Sequence, residues 1–170
     1  MASKEGVLEL ILTHLRPERA RSEPELRFLA AATAHADAQG QVAHHQDLLG
    51  ALVRAAERPP SASLGIQQAC VDILRNLAFS RSNRTVLHLH AFYVPALLQL
   101  SVHADNTVRC GALEALWALT FHSSTTDRAH LWARCQALAP RWQQLAPASS
   151  PVFADAMLAI PALCGHSHLP

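Results

Sequence analysis

The 170-residue sequence is poor in glycine, aromatic residues and net charge, and each scarcity narrows what the chain can be. Six glycines leave little material for phosphate-cradling loops. No Gly-rich nucleotide motif, GxSxG elbow or HExxH pair occurs. The formal net charge of +1, with histidine neutral, gives no general pull toward nucleic acid or an anionic membrane. No window approaches the roughly 18 uncharged apolar residues that a membrane span needs. Beta-branched residues are sparse beside alanine and leucine, which argues against a sheet protein. The four cysteines (Cys70, Cys110, Cys135 and Cys164) form no CxxC pair. Three of them fall in apolar, helix-like windows and read as buried free thiols, which suits a reducing compartment. Glu5 and Glu9 interrupt the N-terminal apolar stretch, so no secretory signal is expected there and a cytoplasmic location is the default.

What remains is helix-forming sequence with ample core material, since 50% of the residues are hydrophobic. Val7, Leu8, Ile11, Leu12 and Leu15 recur at spacings of three and four, marking one helical face over Ser3 to Leu15. Ser22 and Pro24 read as the start of a second helix running toward Gly40. A third is expected from about Gln41, with Val42, Leu48, Leu49, Leu52 and Val53 as its apolar set. Arg58 to Ser63 reads as a loop. Ile66, Ala69, Cys70, Ile73, Leu74 and Leu77 mark a long amphipathic helix. A short helix fits Asn83 to His90, and Phe92-Tyr93 reads as a staple at the entry to the next. That next helix carries Pro95 in its first turn. Asp105 is the expected N-cap of the most regular helix, which carries Val108, Ala112, Leu113, Leu116 and Leu119. Thr126 is the expected cap of a helix through Leu138, Pro140 and Pro147 read as breaks, and Pro151 opens a last helix that ends by Gly165. The sum is about nine helices, an all-α protein.

The helices repeat. Slid by 42 positions, Val71-Asp72-Ile73-Leu74-Arg75-Asn76-Leu77-Ala78-Phe79 falls on Leu113-Glu114-Ala115-Leu116-Trp117-Ala118-Leu119-Thr120-Phe121. Ile66 falls on Val108, and the acidic residue and the phenylalanine match in kind. A period near this value with three helices per unit is the range of armadillo and HEAT arrays. Cys70 to Ala78 resembles the third helix of an armadillo repeat. Asn83-Arg84 through Val94 to Leu98 resembles the next repeat's first two helices, and Asp105 to Leu119 its third. The spelling "LRNLAFSRSNRTVL" and "ALWALTFHSSTTDRAHL" is also similar to the armadillo-like repeats of the rotatin family of centriole and basal-body proteins.

That resemblance implies a single domain over residues 1–170, folded as a right-handed α-solenoid of armadillo/HEAT-like repeats. Its best-matched repeats span Leu64 to Trp132, with capping helices over 1–63 and over 133–170, the latter ending in a frayed tail. It implies a non-enzymatic scaffold whose concave face binds a protein or peptide partner, with centrosomal or ciliary association. The other reading is a structural segment that self-associates through its repeat ends, as a homo-oligomer. Neither nucleic acid nor membrane is an expected partner. Arg75 and Trp117 occupy equivalent positions, and arginine and aromatic anchors are favoured at interfaces. With Asn76 and Phe121 they are the expected partner-binding residues. Asparagine ladders in armadillo proteins hold extended peptides, but only Asn76 stands for that ladder here, which disfavours importin-like recognition of basic peptides.

Eleven histidines prompt a search for metal or catalytic chemistry. His44-His45 are adjacent and diverge on a helix, and His88 and His90 lie about 200 degrees apart around one. Cys164, His166 and His168 offer three ligands where a structural zinc site takes four, and they read as a polar terminus. No cofactor or metal is expected. Arg16, Arg19, Arg21 and Arg27 are interleaved with Glu18, Glu23 and Glu25, which reads as a solvated connection.

Overall fold

The computed structural model describes residues 23–57, 63–121 and 124–145. The expected helices over Ser3–Leu15 and after Pro151, most of the Arg58–Ser63 loop, and the Cys164–His168 tail lie outside them. Among the described residues the protein has nine α-helices, one 3-10 turn and no strand.

The N-terminal part departs from the expected pattern. In place of one helix running toward Gly40, α1 (Glu23–Ala32) stops and α2 (Ala36–His44) follows. The Thr33 hydroxyl turns back to donate to the Ala30 carbonyl at 3.0 Å. The Gln39 amide then holds the Thr33 carbonyl at 2.8 Å. The expected start near Gln41 is also corrected, because Val42 belongs to α2 and the next break is at His45. That residue has extended dihedrals, and its Nδ1 accepts from the Leu48 N–H at 3.2 Å, capping α3 (Gln46–Ala56). Histidine is not among the usual N-capping residues, so the sequence carries no ordinary start signal here.

From α4 (Leu64–Phe79) as far as Thr120 the pattern agrees closely. All six apolar residues that marked this helix are buried. A 3-10 turn (Arg81–Asn83) leads into α5 (Arg84–Leu89), then α6 (Tyr93–Leu100) and α7 (Asn106–Thr120). Asp105 caps α7 as expected, its carboxylate accepting from the Val108 N–H at 3.0 Å. Thr126 does not cap the next helix. α8 (Thr125–Gln136) already includes it, and Pro140 opens α9 (Ala139–Leu145) where a break was expected. Proline suits a first turn because its missing N–H would be unpaired there anyway.

Helix α4 is the centre of the packing. It lies against α1, α3 and α7, with its most extensive contact on α7. The smaller helices pack in the same order, α2 on α5 and α3 on α6, while α6 lies on α7. Gly111 permits the α4–α7 approach, because a Cβ there would lie 2.6 Å from Val71 Cγ1. Valine cannot swing aside cheaply, since its branched carbon restricts χ1. Three polar devices fix the connections. The buried Tyr93 phenol donates to the Leu74 carbonyl at 2.5 Å, joining α6 to α4. Burial raises its pKa well above the usual phenol range. Arg109, also buried, donates to the His103 and Ala104 carbonyls at 2.7 and 3.1 Å and so fastens the α6–α7 loop. Trp142 of α9 donates to Ser101 Oγ at 2.9 Å, at the end of α6. The Phe92-Tyr93 staple is thus half right, because Tyr93 docks while Phe92 is 64% exposed. Cys70 and Cys135 are buried and Cys110 is half-buried, and no disulfide joins them.

His90, at the C-terminal end of α5, faces Gly50 and Arg54 of α3. Its Nδ1 is buried with no hydrogen-bond partner. Burial, and then the Arg54 charge, hold its pKa below the ordinary value of 6.5. The unfolded chain therefore takes up this proton first as pH falls. The His90 contribution to stability is complete above about pH 6.5 and is lost on acidification toward the folded-state pKa. Urea unfolding between pH 7.5 and 5 is expected to show a steeper loss for the wild type than for His90→Gln. Equal slopes would remove this group from the pH response.

Candidate functional site

Helices α4 and α7 each leave one narrow stripe uncovered. On α4 it runs through Gln68, Asp72, Arg75 and Phe79, and on α7 through Cys110, Glu114, Trp117 and Phe121. The spacing of three and four keeps each set on one helical face. The two sets correspond one to one at the 42-residue period. Because α4 and α7 pack side by side, the equivalent residues form one continuous surface.

The aromatic residues meet at the C-terminal ends of the two helices. Trp117 lies between Phe79 and Phe121, with ring centroids 6.0 and 5.6 Å away and interplanar angles of 59° and 52°. Tilted contacts of this kind suit the ring quadrupoles. Trp117 is half-buried, while Phe79 and Phe121 are 46% and 42% exposed. The single ridge thus has a packed centre and two accessible flanks.

One turn toward the N-terminal ends, Arg75 Nη1 lies 3.4 Å from both Asp72 Oδ1 and Glu114 Oε2. The guanidinium joins the two helices and is shared by two carboxylates. Half-exposed pairs at this distance are worth little in stability. Their effect is to set the pattern of charge beside the ridge.

Beyond the ridge, Arg84 at the start of α5 donates to the carbonyls of Ala78, Phe79 and Phe121. It thereby occupies acceptors at the C-terminal ends of both α4 and α7, which such ends otherwise leave unpaired. Burial, followed by repulsion from Arg81, lowers its pKa.

Three of the four expected partner-binding residues, Arg75, Trp117 and Phe121, come together on this surface. Asn76 is engaged elsewhere. Its side-chain amide donates to the Ala30 carbonyl at 3.1 Å and to Thr33 Oγ1 at 3.3 Å, tying α4 to the end of α1. Sequence reasoning passed over Phe79, Asp72, Glu114, Arg81 and Arg84 as site residues. The signal for the first three was present in the 42-residue alignment, which pairs Phe79 with Phe121 and Asp72 with Glu114. Arg84 carried no such signal, because its role depends on two helix ends meeting in space. Among the described residues no group of three His, Cys, Asp or Glu side chains is placed to hold a metal ion. No described helix is long and apolar enough to cross a membrane. No protein-family model and no curated protein matches the chain.

The packing difference between the ring at the centre and those at the edges is measurable. Trp117→Ala is expected to destabilise the protein by about 2 kcal/mol, since it empties space between two rings and two helices. Phe121→Ala, which removes a more accessible ring, is expected to cost under about 1 kcal/mol. Denaturant melts of the two variants would show this difference, and equal losses would contradict the ridge geometry.

Proposed function

We propose that the chain is a non-enzymatic protein-interaction module, built as an armadillo-like right-handed solenoid, with the α4–α7 stripe on its concave face. The observation that carries this reading is the row of equivalent residues, especially Phe79 with Phe121 and Arg75 with Trp117, left uncovered on two adjacent helices. The packing order supports it. α1, α4 and α7 follow one another, as do α2 and α5, and α3 and α6, which is the succession expected when repeat units stack. Such units share a core between neighbours and leave an extended face for a partner segment.

The surface has the composition of an anchor region. Aromatic and arginine side chains dominate interface energetics, and rings already held by their neighbours lose little freedom on binding. Asn76 is a tether in this reading and not a ligand-holding ladder. The rotatin-like spelling of the repeats extends the proposal to a cytoplasmic protein associated with the centrosome or the ciliary base.

The test is capture of cellular partners by the wild type and by an Arg75→Ala/Trp117→Ala double variant. The variant is expected to melt cooperatively at a lower temperature and to lose capture by about tenfold or more. Undiminished capture would remove the stripe as the binding surface.

A further inference from the structure

We propose that the segment bound on this surface is acidic and apolar, seating apolar side chains on Phe79, Trp117 and Phe121 and directing carboxylates at Arg81 and Arg84. This inference rests on the interaction-module reading and names the chemistry of the partner.

The distribution of charge around the ridge carries it. At the N-terminal side Arg75 sits between Asp72 and Glu114, which share this one cation and leave that end of the stripe slightly acidic. At the opposite side Arg84, and Arg81 in the 3-10 turn just before it, have no carboxylate paired to either among the described residues. Arg81 is exposed. Arg84 is satisfied only by carbonyl oxygens, which accept its hydrogen bonds without cancelling a full charge. The partial negative charge of the two helix ends offsets Arg84 in part, but it is fractional and fades within the last turn. It leaves Arg81 uncompensated. Burial lowers the Arg84 pKa, and repulsion from Arg81 lowers it further, so the two positive charges feel one another.

A carboxylate approaching along the ridge would therefore meet two guanidinium groups at the edge of an apolar patch, where solvent screening falls as the partner covers them. A basic segment would meet the same two charges as repulsion at this end of the ridge. A continuous nucleic-acid backbone would run onto those two carboxylates, since they lie on the same stripe.

A displayed library of random 15-residue peptides, panned against the full chain, tests this directly. Enriched peptides are expected to combine Asp or Glu with Leu, Phe or Trp a few residues away. Their affinity, measured by fluorescence anisotropy, is expected to fall about tenfold in Arg81→Glu and to weaken with salt. Arg81 is exposed, so this variant is expected to melt like the wild type. A Phe79→Ala/Phe121→Ala variant is expected to lose the peptides as well. Enrichment of basic or uncharged peptides, or full affinity in Arg81→Glu, would overturn the acidic assignment. The interaction surface would still stand in that case if the double alanine variant loses binding. Peptides that bind the double alanine variant as tightly as the wild type, or no enrichment at all, would overturn both. Binding of a single-stranded oligonucleotide that Arg81→Glu abolishes would replace the peptide with nucleic acid.

Discussion

The approach of α7 to α4 is the constraint on which the remaining features depend. It requires a residue without a side chain at Gly111, because Val71 occupies the space a Cβ would take. Closely packed helices bring equivalent residues side by side, and the 42-residue period then has a spatial consequence. Trp117 reaches Phe79, Arg75 reaches Glu114, and Arg84 reaches the C-terminal carbonyl ends of both helices. A larger separation would break these three contacts together. They span the same interface, so they are coupled and their energies do not simply add.

The polar side chains of these helices divide into two kinds by what they touch. Asn76, Tyr93, Arg109 and Trp142 each place a donor on an acceptor of another helix or loop, and their hydrogen-bonding capacity is directed inward. Buried donors of this kind fix geometry, since leaving one unpaired costs the full desolvation of the group. Asp72, Arg75 and Glu114 instead remain partly open to solvent, and Arg81 is exposed. Charge of this second kind contributes little to folding and is available to a partner. The ridge thus combines apolar rings held by packing with charges that the fold does not consume.

The all-helical class and most of the central helices were legible because local periodicity, capping residues and the long-range repeat agreed between Leu64 and Thr120. Asp105 and the apolar face of α4 are examples in which a local signal and the tertiary outcome coincide. The breaks at Thr33 and His45 were not legible. Alanine-rich sequence favours helix throughout that region, and what interrupts it is side-chain bonding by Thr33, Gln39 and His45, which no residue-level preference announces. The make-up of the uncovered stripe was readable in part for a similar reason. Equivalence at 42 residues identified Arg75, Trp117 and Phe121, but it could not reveal that Asn76 is occupied by α1 or that Arg84 bridges two helix ends. Those outcomes depend on contacts between residues 37 to 46 positions apart.

The contact between Val71 and Gly111 is open to direct observation in solution. A carbon-edited NOESY spectrum of methyl-labelled protein is expected to show cross-peaks from the Val71 methyl groups to the Gly111 α-protons. Absence of these cross-peaks from a folded, well-dispersed spectrum would contradict the close packing of α4 on α7 and, with it, the shared surface that the two helices present.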